Sequence, residues 1–255
     1  MFAPTHLRAG RRDGVLLGSS LLALAVLAWL ALWLWDGSPY GRYLHHDAGL
    51  AGLPLALEGL LFSVGWFVMI VAMMLPSSVP LVLTFRALVG RRRHPGRLVA
   101  LLLMGYLAIW VAFGVMAWVA DRGVHAVVDA VPFLAEHPQL IIGTTLLVAG
   151  LWQFSPLRDR CLDACRSPLG FVMNRWRGVA EEREALSIGL AHGAFCIGCC
   201  WSLMLVMFGV GIGSLAVMLV LGGLTAIEKD VPWGRRLTRP VGVGLVLAAV
   251  TAVSW

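Results

Sequence analysis

Seven long apolar stretches, parted by short polar and basic ones, account for most of the chain. They run over roughly 15–35, 59–85, 98–120, 138–154, 185–208, 214–227 and 241–255. A continuous apolar run of about 20 residues matches a helix that crosses a bilayer, whereas a membrane barrel needs alternating segments of about 10. The pattern therefore predicts an all-α polytopic transmembrane helix bundle of about seven spans, forming a single integral membrane domain over 1–255. The turn G-V-G-I-G between the fifth and sixth spans is brief, and the seventh span is barely long enough. Trp29, Trp33 and Trp35 anchor the far end of the first span at an interface. Pro76 and Pro80 fall inside the second. Pro76 has no N–H, so it frees the carbonyl of Ala72 and opens that helix locally.

Composition agrees with a lipid solvent. The chain is 59% hydrophobic and 13% charged, against about 25% charged in ordinary soluble domains. The net charge of +6 would suit nucleic acid, but topology explains it better. Eighteen of the 20 Lys and Arg residues lie in the N-terminal arm and in the loops after the second, fourth and sixth spans. Positive-inside bias then puts the N-terminus in the cytoplasm and the C-terminus outside. The longest polar segment, Ser155 to Glu184, becomes a cytoplasmic loop. No small-residue cleavage site follows the first span, so it is read as a membrane helix and not as a signal. A bacterial inner membrane fits, with lipid as the partner and nucleic acid excluded. A partner subunit or a homo-oligomer is expected as well.

Chemistry concentrates in Gly189 to Met204, G-L-A-H-G-A-F-C-I-G-C-C-W-S-L-M, which holds three of the five cysteines. On a helical wheel His192, Cys196, Cys199 and Cys200 fall within an arc of about 100°. Gly189 and Gly193 edge that face and let another helix come close. Trp201 points the opposite way, to lipid. In the second span Met69 and Met73 are i,i+4 and share a face with Trp66 and Pro76, while Met74 is turned away. Glu58 projects to the same face at the outer end. Soft sulfur and imidazole ligands in a dry site select Cu(I), with zinc or an iron–sulfur cluster as alternatives. The competing reading is packing, since a free cysteine behaves as a small hydrophobe and Met at helical spacing is commonly core.

Three further groups carry weaker signals. Cys161 and Cys165 are i,i+4 on the cytoplasmic side, among Arg158, Arg160 and Arg166 that favour thiolate. They could relay a metal to the helical site or complete it, or be ordinary interfacial thiols. Glu228 beside Lys229 and Asp230 is either a local ion pair at an interface or an inward carboxylate that serves as a ligand. The clusters His45, His46, Asp47 and His125, Asp129, His137 face the outer compartment and could capture a metal or be solvated loops. No phosphate-binding loop occurs, since G-V-G-I-G lacks the lysine. His192 is the only histidine within a span, which disfavours bis-histidine haem. The seventh span has no lysine for retinal, and no Ser-His-Asp arrangement is visible.

Four blocks resemble a known family. They are Trp66, Met69, Ala72, Met73, Met74 and Pro76; then Gln153, Pro156, Cys161, Cys165, Arg166 and Pro168; then His192 through Met204; and last Glu228 with Lys229. Together, over about 58–230, they resemble the predicted metal-binding integral membrane proteins (domain of unknown function 2182). The resemblance implies a multi-spanning bacterial membrane protein with a metal site, in one suggested context a partner in copper-dependent membrane oxidation.

The expected function is therefore metal binding, copper first, either in metal handling or as a subunit of a copper-dependent membrane oxidase or oxygenase. No catalytic residue is assigned. The expected ligands are His192, Cys196, Cys199 and Cys200, then Met69 and Met73, with Cys161, Cys165 and Glu228 as further candidates. A transmembrane thiol–disulfide electron conduit, and a small-molecule transporter with structural cysteines, remain as alternatives. The charge count sets His192 about two turns in from the cytoplasmic end, so access would run past Cys161 and Cys165.

Overall fold

The protein, seen in a computed structural model, is described over residues 5–38, 54–210 and 214–254, with side chains at 13–38, 54–207 and 214–254. His45, His46 and Asp47 lie outside the described residues. Eleven α-helices occur in order among the described residues: α1 Thr5–Asp36, α2 Leu55–Met73, α3 Leu75–Val89, α4 Pro95–Ala130, α5 Pro132–Glu136, α6 Pro138–Trp152, α7 Pro156–Arg166, α8 Pro168–Met173, α9 Glu181–Val210, α10 Leu215–Asp230 and α11 Thr238–Ser254. The expected all-α bundle stands. Proline opens α4 through α8, the position where its missing N–H costs nothing and its fixed φ suits a helix start. At the start of α9 the Glu184 carboxylate accepts the backbone N–H groups of residues 177–180. Gly178 supplies the φ of 73° that this turn requires.

Five helical stretches are long and apolar enough to cross a membrane: Asp13–Asp36, Leu55–Met73, Pro95–Ala130, Glu181–Met207 and Gly234–Ser254. Pro138–Trp152 and Pro156–Arg166 make a sixth if that pair, bent by 65°, counts as one span. The segment expected as the sixth crossing is α10, whose 16 residues fall short of the usual crossing length. Leu27, Leu34, Met104, Met116, Leu219 and Val250 are more than half exposed. Spread over many helices, such apolar surface has lipid as its natural solvent.

The axis of the bundle is the parallel pair α4 and α9, which share the most extensive contact in the protein. Glycines make the approach possible. A Cβ on Gly189 would land on the carbonyl of Leu102, and one on Gly193 would stand 3.0 Å from the carbonyl of Tyr106. Because the obstacle is backbone, it cannot swing away. Gly189→Ala is therefore expected to push α4 from α9 and to cost about 1–3 kcal/mol. The drop should be read as a lower unfolding temperature in detergent, with Gly244→Ala, which meets open space, as the unaffected control.

The second expected span breaks where Pro76 predicts. α2 ends at Met73 and α3 begins at Leu75, with Met74 between them at φ −99°. The freed carbonyl of Ala72 accepts the Trp29 indole N–H at 3.1 Å. The Met74 carbonyl accepts the Tyr106 hydroxyl at 3.1 Å and the Ser77 hydroxyl at 3.0 Å. Side chains thus meet the carbonyls of Ala72 and Met74 at the break, as an apolar surrounding demands.

Two expectations about polar segments are corrected. Ser155 to Glu184, expected as a long polar loop, is largely helical. It folds into α7 and α8, which pack into the bundle with Arg158, Cys161, Leu162, Phe171 and Val172 buried. Residues 158, 161, 162 and 165 repeat at helical spacing, so one face of α7 can be internal while Arg160 and Asp163 stay outside. The end of α10, where Glu228 beside Lys229 was expected at the inner end of a span, is internal as well. Glu228 and Lys229 are buried, and α11 turns back antiparallel to α6, with Gly242 against Gln153 and Phe154, and Gly143 against Val253. The end of α10 thus reaches the middle of α9, where Lys229 meets Cys196.

Candidate metal centre

The middle of α9 carries His192, Cys196, Cys199 and Cys200, all at most 2% exposed. Their helical spacing gives them one face, as the wheel predicts. What surrounds that face is assembled from four other places in the chain. Met74 comes from the α2–α3 break, Tyr106 from α4, Cys165 from α7 and Lys229 from the end of α10.

The sulfur atoms form a chain of near neighbours. Cys165 Sγ lies 4.0 Å from Cys199 Sγ, and Cys200 Sγ lies 3.9 Å from Met74 Sδ. The Cys199 and Cys200 thiols both donate to the carbonyl of Cys196, at 3.1 and 2.8 Å. Cys196 Sγ accepts from the Lys229 ammonium at 2.9 Å and stands 3.3 Å from the Tyr106 hydroxyl. Lys229 also reaches Ser77 Oγ at 3.4 Å. His192 is stacked on Tyr106 with ring centroids 5.4 Å apart and meets the edge of Phe171 at 5.6 Å. Its Nδ1 is buried without a hydrogen-bond partner.

The donor set suits a soft ion. With metal–sulfur bonds of about 2.3 Å, as for zinc, two sulfurs on one ion stand at most about 4.6 Å apart. The Cys165–Cys199 and Cys200–Met74 separations both fall inside that limit. The unpartnered His192 nitrogen supplies a further vacant donor, since a buried imidazole nitrogen normally finds a partner. Among the described residues, no three His, Cys, Asp or Glu side chains stand in a preformed coordination sphere. The thiols are instead held by internal hydrogen bonds, and all five cysteines are free.

The other candidates fall elsewhere. Met69 and Met73 are buried in the same core, and Met73 packs against Gly222 of α10. Met74, expected to turn away, is fully buried and touches Cys200. A wheel drawn through Met74 assumes an unbroken helix, and the Pro76 break shifts the register. Cys161 sits against Gly198, where a Cβ would come within 2.5 Å of its sulfur. Trp201 does not face lipid alone. Its ring meets Trp152 of α6 edge-on at 5.1 Å. His125 and His137 each hydrogen-bond through Nδ1 to the carbonyl four residues back, and Glu58 pairs with Arg122 at 3.0 Å.

Glu228 turns inward, but its ion-pair partner is not the adjacent lysine. Its carboxylate meets Arg158 of α7 at 2.5 Å, both residues at most 2% exposed. Thr238 accepts from Arg158 at 2.9 Å and lies 3.4 Å from the carboxylate. Arg166 donates to the carbonyls of Glu228, Val231 and Pro232 at the end of α10, a favourable place for a cation. Glu228 is thus committed to clamping α7 onto the end of α10 and the start of α11. The period of α7 was the available signal for Arg158, whereas nothing local marks Tyr106.

A family model, PpoB2, described as a copper chaperone, matches residues 63–252. No curated protein and no solved structure matches.

Proposed function

The chain belongs to the PpoB2 copper chaperone family, and from that premise we propose that it holds Cu(I) on the sulfur cluster at the middle of α9. The observation that supports this most is the convergence of Cys165, Cys196, Cys199, Cys200 and Met74 from three separate parts of the chain into one buried site. Thiolate and thioether ligands in a dry setting favour Cu(I) over zinc or iron. Cys196, Cys199 and Cys200 are the primary ligands on this reading, Cys165 and Met74 complete the set, and His192 supplies a nitrogen. Met69 and Met73 shape the wall, Cys161 is a neighbour, and Glu228 is structural. The ion would move by exchange among soft ligands and leave to a partner protein, so it need never be free. The setting is a bacterial inner membrane with the N-terminus in the cytoplasm.

The test is copper retention by anaerobically purified protein. After Cu(I) loading and removal of unbound metal, about one copper per chain is expected, with sulfur dominating its X-ray absorption fine structure. The 4.0 Å between Cys165 and Cys199 also suits a thiol–disulfide conduit. No retained copper, together with redox-dependent alkylation of those two cysteines, would support that second reading instead.

A further inference from the structure

The buried methionines of the protein lie in one place. Among the described residues, Met69, Met73, Met74, Met204, Met207 and Met218 are buried, and all belong to the core that surrounds the sulfur cluster. The other core, built around Phe85, Leu102 and Ile188, holds none. Methionine used only to fill gaps has no reason to avoid that second core. The thioethers also follow an order along the helices. On α9, Cys196, Cys200, Met204 and Met207 recur at i, i+4, i+8 and i+11, a single stripe that continues past the thiols toward the end of the helix. α10 lies antiparallel to α9: it starts at Leu215, just after α9 ends at Val210, and its Lys229 meets Cys196. Met207 lies as far along α9 from Cys196 as Met218 lies along α10 from Lys229. The two methionines therefore share a level, about 16 Å beyond that contact. Met73 packs on Gly222 of α10, and Ser77 meets Lys229, so α2 and α3 run in the direction of α10. Met69, one turn before Met73, thus reaches the level of Met218.

We propose that Met69, Met204, Met207 and Met218 form a second site for Cu(I), built of thioethers alone and set between the thiol cluster and the α9–α10 turn. This rests on reading the cluster as the first Cu(I) site, which Met74 joins through Cys200. Met69, part of the wall of the first site, is a ligand of the second. Thioethers are soft donors that Cu(I) accepts and that oxygen-seeking divalent ions do not. All four side chains are at most 3% exposed, and Leu203, Val206 and Leu221 of the same two helices bury apolar surface beside them, so no water competes for the ion. A thioether is neutral and brings no charge to offset that of a buried cation, which is costly to leave uncompensated. The second site is therefore the weaker, fills after the first, and empties when free copper is removed. Its place on the Cys196–Cys200 stripe makes it the next set of soft ligands beyond the thiols.

The experiment labels the full chain with selenomethionine, so that a methionine ligand scatters as selenium and a cysteine ligand as sulfur. X-ray absorption fine structure at the copper edge is recorded on anaerobic protein given one and then two equivalents of Cu(I), with no step to remove metal. The first equivalent is expected to show sulfur neighbours and only a minor selenium contribution, from Met74. The second is expected to bring at least about two selenium neighbours per added ion. In the Met204→Leu, Met207→Leu, Met218→Leu triple variant, whose side chains stay close in volume, the second equivalent should add no selenium while the first keeps its sulfur. The control triple variant Met104→Leu, Met116→Leu, Met173→Leu alters methionines that are more than half exposed and should keep the full selenium signal. A second equivalent without selenium in the wild-type chain overturns the proposal. So does selenium that persists in the buried variant, or selenium that vanishes in the exposed one, which decides the matter even if the buried variant does not fold. A first equivalent without sulfur neighbours would instead sink the thiol-cluster reading.

Discussion

Serine at position 196 is expected to leave a folded protein that no longer retains copper, with Cu(I) affinity lower by at least about 100-fold. Three features place Cys196 at the centre of the cluster. Its sulfur meets both Lys229 and Tyr106. Its carbonyl receives the thiols of Cys199 and Cys200, so those two sulfurs are aimed by the same residue. It also lies one turn beyond His192, with the vacant nitrogen. Serine keeps the size and the backbone acceptor but replaces a soft, readily ionised donor by a hard hydroxyl. The fold should survive, because the helix and its glycine contacts with α4 are untouched. Cys161→Ser is the comparison. Cys161 abuts Gly198 and, among the described residues, makes no hydrogen bond to another sulfur, and its variant should retain copper at the wild-type level. Copper bound per folded chain after anaerobic loading distinguishes the two. Full retention by Cys196→Ser would remove that residue from the ligand set.

Arg158→Met is expected to have the largest effect on stability. It leaves the Glu228 carboxylate buried without its ion-pair partner, a loss of about 3–5 kcal/mol for a pair broken from one side. Both partners are almost wholly screened from solvent, so water cannot take over. The double variant Arg158→Met with Glu228→Gln removes the stranded charge and should recover most of that loss. Thermal unfolding in detergent gives the readout, and equal destabilisation in the single and double variants would argue against the pair. Copper retention should fall along with stability in the single variant. Arg158 and Cys165 share α7, so loosening α7 from α10 also moves Cys165 from Cys199.

Local chemistry made several features legible in advance. Apolar run length marks the helices, because a chain in lipid must satisfy its own backbone groups. Pro76 marks the break, because a missing N–H frees one carbonyl wherever it occurs, and Trp29 is the residue that meets it. The common face of His192, Cys196, Cys199 and Cys200 follows from helical periodicity. Failures came where charge was taken as a sign of water. Arg158 and Lys229 were counted among the loop cations, yet each is buried against an anionic or sulfur partner from a distant part of the chain. Charge normally marks solvent because burial is costly, and only a partner offsets that cost. The partner is 70 residues away for Arg158 and 33 for Lys229, so no local window holds both.

The sequence by itself determined that this is a helical membrane protein, where its helices are interrupted, and that one face of α9 is rich in soft donors. Each of these follows from neighbours within a few turns. The tertiary structure alone decided what stands opposite that face. It folds the polar stretch after α6 inward to bring Cys165 to Cys199, turns Met74 toward Cys200, and brings the end of α10 to the middle of α9 so that Lys229 meets Cys196. Those contacts depend on how whole helices pack, through glycines that admit a neighbouring backbone and ion pairs that hold helix ends together.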